Sequence, residues 1–137
     1  MRSIRRLAVV AGAVLMLGLL PAVTAASTDK AFHVIKDCDG LTCIVRSSSY
    51  RGIPAGTVIN YTENADGSLT SVISTATGSA TGRCVLDPIF GDPSSPGTCV
   101  FRSGSGSLTR FHLSVAVNTA DFVSWTWDGS YWFGSGN

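Results

Sequence analysis

His33 and His112 are the only histidines in this 137-residue chain, and histidine is the side chain whose unperturbed charge change falls near neutral pH. Either could serve as a general base. No nucleophile motif such as Gly-x-Ser-x-Gly accompanies them, and both sit between apolar neighbours, in Phe32-His33-Val34-Ile35 and Phe111-His112-Leu113. They read as ordinary strand residues. Asp37, Asp39 and Gly40 match part of a calcium loop, but the later oxygen ligands and the closing glutamate are missing. The segment reads as a turn. Asn60-Tyr61-Thr62 fits a glycosylation sequon, yet it falls on a predicted strand. No catalytic residue, metal or cofactor is expected.

Two other features point to binding. Trp125, Trp127, Tyr131 and Trp132, with Phe133, fall within nine residues and could line a ligand pocket or a sugar-stacking face; the competing reading is core packing of a hairpin. The second is the segment 87–97, Asp-Pro-Ile-Phe-Gly-Asp-Pro-Ser-Ser-Pro-Gly, which lies between Cys84 and Cys99. Pro88, Pro93 and Pro96 are expected to hold it extended and stiff. A braced loop tipped by Ile89 and Phe90 could enter a protease cleft, because preorganisation lowers the entropic cost of binding.

These features must be carried by a small exported domain. Arg2, Arg5 and Arg6 lead into the apolar run from Leu7 to Leu20, followed by Pro21 and Val23-Thr24-Ala25, the pattern of a cleaved secretory signal peptide over residues 1–25. The run is shorter than the roughly 20 residues of a membrane-spanning helix. The first cysteine after it is Cys38, too far on for a lipid anchor at the cleavage site. Residues 26–137 then form one secreted domain of a size that buries roughly 65% of its unfolded surface. Its charge differs from the precursor's: of ten Lys+Arg, three lie in the leader, leaving seven against nine Asp+Glu and a net charge of −2. With no basic stripe, nucleic acid is not an expected partner, and neither is a membrane once the leader is gone. A small molecule, a glycan or a protein ligand remains.

Export makes disulfides the natural state of Cys38, Cys43, Cys84 and Cys99. Three pairings are possible. Arg83-Cys84-Val85-Leu86 and Thr98-Cys99-Val100-Phe101 flank the proline-rich segment symmetrically, and Cys38 and Cys43 enclose a turn-like stretch, so the expected bridges are 38–43 and 84–99.

The fold class is all-β. Phe111, Leu113, Val115 and Val117 alternate with His112, Ser114, Ala116 and Asn118, the period of a half-buried strand. Residues 57–63 and 68–76 flank Asn64-Ala65-Asp66-Gly67, and residues 122–127 and 131–133 flank Asp128-Gly129-Ser130, which predicts two hairpins. About eight or nine short strands result. They favour a small antiparallel barrel, which leaves no open edge to aggregate.

Cys99-Val100-Phe101-Arg102-Ser103-Gly104-Ser105-Gly106-Ser107-Leu108 resembles the Gly-x-Gly segment of the allene oxide cyclase and dirigent-like β-barrels, over about 15 residues, with Arg110 where that family usually has a small residue. The resemblance implies a barrel. None of that family's catalytic residues maps here, so it implies no activity. Residues 65–70 also look like a hairpin of avidin-type barrels, and the size, export and four cysteines are similar to the small exported subtilisin-inhibitor family, without its reactive-site sequence. The expectation is a secreted, disulfide-stapled barrel acting as a non-enzymatic binding protein. A serine-protease inhibitor acting through 87–97 is the alternative, and a small cyclase or isomerase the third reading.

Overall fold

The computed structural model describes residues 29–134; the leader and its cleavage site lie outside them. Eight strands follow one another: β1 Lys30–Asp39, β2 Thr42–Ser48, β3 Val58–Glu63, β4 Leu69–Ser74, β5 Gly78–Val85, β6 Gly97–Gly106, β7 Phe111–Thr119 and β8 Ser124–Phe133. Each pairs antiparallel with the next, and β8 returns to pair with β1, closing the barrel. Alternation decides which side chains face inward. On β7, Phe111, Leu113, Val115 and Val117 are buried while the residues between them are not, as period-2 patterning requires.

In such a meander the connections alternate between the two ends. At one end the links after β2 and β6 fold inward and bury Ile53 and Leu108 completely, where Tyr50, Phe111 and Tyr131 pack ring against ring at 4.3–6.0 Å. That end is plugged with apolar side chains. The other end carries the turns after β1 and β3, the β5–β6 connection and the loop after β7. Here the turn at Asn64-Ala65-Asp66-Gly67 forms as expected, with Gly67 at φ +85°, a conformation that favours glycine. The Ser68 hydroxyl and backbone N–H, together with Arg83, hold the Asp66 carboxyl down at about 2.

Both expected disulfides are present, Cys38–Cys43 across the β1–β2 turn and Cys84–Cys99 at facing positions of β5 and β6. The second is fully buried. In the chain-entropy account, closing a loop of this length stabilises the fold by roughly 3 kcal/mol.

Two expectations are corrected. Asp128-Gly129 is not a turn: β8 runs unbroken through it, so the two predicted aromatic strands are one, paired with β7 and β1 rather than with each other. Gly129 serves close approach instead. A Cβ there would lie 2.0 Å from the Ser114 carbonyl oxygen, and backbone cannot swing aside as a side chain can. Gly129→Ala is therefore expected to destabilise by about 1–3 kcal/mol, the usual range for overpacking, read as a lower urea midpoint at unchanged slope. A shift below a few tenths of a kcal/mol would mean that β7 and β8 can part freely.

The proline-rich segment is the second correction. It does not extend as a reactive loop but opens with a short helix, α1 Asp87–Gly91, with proline in its first turn, where the missing N–H costs nothing. Ile89 turns inward and is 2% exposed, whereas Phe90 is 64% exposed. Pro88 is exposed as well.

Candidate ligand-binding site

The end of the barrel opposite the plug is open. A cavity of about 450 Å³ enters there, within the range of small-molecule sites. Its rim includes Gly40, Leu41, Asn64, Gly67, Leu86, Asp87, Phe90 and Phe122, and its walls include Cys43, Leu69, Val117 and Trp125. The loop after β7 shapes one side. Asp121 Oδ1 accepts from the backbone N–H groups of Ser124 (2.8 Å) and Val123 (2.9 Å), and Thr119 Oγ1 accepts from Phe122 N (2.9 Å). These bonds hold Phe122 at φ +60°, a conformation costing a bulky residue on the order of 1–3 kcal/mol. Its ring stacks on Phe90 at 6.1 Å and meets Trp125 edge-on at 6.1 Å. The strain is offset by an aromatic wall at the mouth.

The inner wall of this apolar cavity carries a charged residue type. Lys36 on β1 is 1% exposed yet lines the cavity, because it shares the inward face with Phe32 and Val34. Its Nζ donates to Tyr61 Oη on β3 and lies 3.9 Å from the Trp127 ring centroid and 4.5 Å from that of Tyr61. No ion pair involving Lys36 occurs among the described residues. Two effects oppose each other. A desolvated cation over aromatic rings gains about 2 kcal/mol, whereas burying an ion costs several kcal/mol even after relaxation. Desolvation wins and holds the Lys36 amine well below its ordinary value. The Tyr61 phenol, its ring half-buried and its hydroxyl sunk in the wall, is pushed up by burial, with Ser71 and Trp127 acting weakly the other way. Burial disfavours the charged form of both groups.

Around it are polar groups lacking partners. Ser71 Oγ, Trp125 Nε1 and Trp127 Nε1 are buried without a hydrogen bond of acceptable geometry, although Ser71 and Trp127 adjoin the Tyr61 hydroxyl. Ser71 faces Tyr61 across β3–β4, and Trp125 faces Lys36 across β1–β8. Each unmet group costs about 1–3 kcal/mol. An acceptor oxygen brought into the cavity would meet Trp125 Nε1, which lines it.

The aromatic cluster read from the sequence is thus divided. Trp125 lines the cavity, Trp127 backs Lys36, Tyr131 belongs to the plugged end, and Trp132 lies on the outer wall, stacked on His112 at 5.2 Å. His33 also faces outward, bonded through Nδ1 to Asp128 Oδ1, with both side chains about half exposed. The histidine–carboxylate pair therefore stands outside the barrel. The sequence reading passed over Lys36, Tyr61 and Ser71. Compared with models of known protein families, with curated proteins and with solved structures, the chain matches none.

Proposed function

We propose that this protein binds, outside the cell, a small and mainly apolar molecule that carries an oxygen acceptor at its buried end. The observation that carries this reading is a buried indole N–H without a hydrogen bond, Trp125 Nε1, in the wall of a cavity open at one end that Lys36 and Tyr61 also line. An apolar body would pack against Leu69, Val117, Phe90 and Phe122, and its oxygen would accept from the inner wall. The two disulfides are compatible with an extracellular setting. The inhibitor reading loses its support, since α1 buries Ile89 and offers a protease no extended backbone there. A histidine-based isomerase loses its support too, because neither histidine lines the cavity.

Decanol provides the test. Trp125 stands in the cavity wall and Trp127 lies behind Lys36, so decanol should produce a saturable change in tryptophan fluorescence. Leu69→Trp, which sets a bulkier ring in the cavity wall, should weaken the saturation while leaving the thermal midpoint close to that of the parent. No saturable change up to the solubility limit of decanol would refute the reading.

A further inference from the structure

We infer that Lys36 captures a carbonyl group covalently: an aldehyde on an apolar chain enters the cavity and condenses with the Lys36 ε-nitrogen to form an imine. The inference rests on the binding reading, since the aldehyde must first occupy the cavity. A neutral amine is a nucleophile where an ammonium ion is not, and desolvation in an apolar pocket activates lysines in this way. Lys36 has the required surroundings: no carboxylate paired with it among the described residues, two aromatic rings over it, and open cavity before it. The titratable groups facing this cavity besides Lys36 are Tyr61 at its inner wall and Glu63 and Asp87 at its mouth. Those two carboxylates repel an anionic ligand approaching the opening and leave an uncharged carbonyl compound unopposed. A carboxylate ligand is thereby disfavoured.

Tyr61 supplies the proton traffic. The Lys36 lone pair attacks the carbonyl carbon, the carbonyl π electrons move to oxygen, and that oxygen takes the Tyr61 phenolic proton. A proton from nitrogen returns to the phenolate, giving a neutral carbinolamine. The nitrogen lone pair then expels the hydroxyl group, which leaves as water with the Tyr61 proton, and the remaining iminium proton restores the phenol. One amine and one aldehyde give one imine and one water, with no oxidant or reductant. The phenol stays protonated at neutral pH because burial pushes it up, so the acid is present when the oxygen needs it.

The chain contains only two lysines, Lys30 and Lys36, and Lys30 is exposed at the start of the same strand, which makes it an internal control. The oxidised protein is incubated with decanal and cyanoborohydride at pH 7, and the sites of decyl attachment are mapped by peptide mass spectrometry. Burial holds the Lys36 amine well below its ordinary value and so raises its unprotonated fraction at neutral pH, so Lys36 should be modified at least ~tenfold faster than exposed Lys30. Tyr61→Phe should slow modification at Lys36 and leave that at Lys30 in the same molecule unchanged. Lys36→Met should lose the rapid phase while keeping a cooperative urea transition, which shows that this variant folds. If decanol and decanal both bind but Lys36 reacts no faster than Lys30, the imine is excluded and the binding reading stands. If neither binds, both fall together.

Discussion

Lys36→Met is expected to unfold at higher urea concentration than the parent at pH 6–7, with the advantage shrinking steadily as pH rises toward 10. Lys36 is held well below its ordinary value of 10.5 in the folded state, so between the folded and unfolded values the unfolded chain binds the extra proton. Stability then rises with pH. The contribution of Lys36 is fully present above 10.5 and is lost as pH falls through the folded value. One proton gives a slope of at most about 1.4 kcal/mol per pH unit between the folded and unfolded values. Methionine matches lysine in length and removes the buried amine, and replacing buried charged residues with apolar ones of similar volume is often neutral or stabilising. It also leaves Tyr61 Oη without its partner, which costs about 1–3 kcal/mol at every pH. The sign of the stability difference near pH 10 therefore depends on that loss, but its slope does not. Tyr61 enters only above pH 10, where burial keeps it protonated in the fold and parental stability declines again. The measurement is the urea midpoint of both proteins from pH 5 to 11. Parallel curves would show that Lys36 keeps its proton on folding.

Lys36 also shows where a sequence stops being informative. Between Ile35 and Asp37 it looks like an ordinary solvated charge, and only parity with Phe32 and Val34 sets it on the inner face. That parity was readable once Phe32 and Val34 were known to be buried. A register shift against β2 between Ile35 and Lys36 leaves no mark in the sequence. What was legible rested on local chemistry: the alternation in β7, the Gly67 turn, the flanks of Cys84 and Cys99, and a barrel as the way to leave no edge. What misled also had local causes. A glycine needed for close approach to Ser114 looks the same as a glycine needed for a turn, so β8 was divided at Asp128-Gly129. Proline suits the first turn of a helix as well as an extended loop, so the sequence of 87–97 does not distinguish α1 from a loop that sets Ile89 outside. The site itself joins β1, β3, β4 and β8, and no local pattern links Lys36 to Tyr61 or Ser71.

Trp127→Ala is expected to cost about 3–5 kcal/mol, the range for truncating a large buried aromatic. Trp127 is fully buried, tilts against Phe101 at 5.6 Å and backs the Lys36 amine at 3.9 Å. Trp127→Phe separates the ring from the indole N–H. It keeps a ring in place and removes a buried donor that has no partner, so the relief of about 1–3 kcal/mol offsets part of the lost packing, and the net change should stay below about 1.5 kcal/mol. The alanine variant has a second consequence. The vacated volume adjoins the cavity beside Lys36, and water entering it would hydrate the amine, raise its proton affinity and reduce the slope of stability with pH. Urea unfolding at pH 6 and pH 9 reads both effects. A large loss with the parental slope would mean that the space stays dry and that aromatic contact matters to Lys36 only as packing. A loss below about 1 kcal/mol would remove Trp127 from the core and, with it, the low-polarity wall that holds the Lys36 amine below its ordinary value.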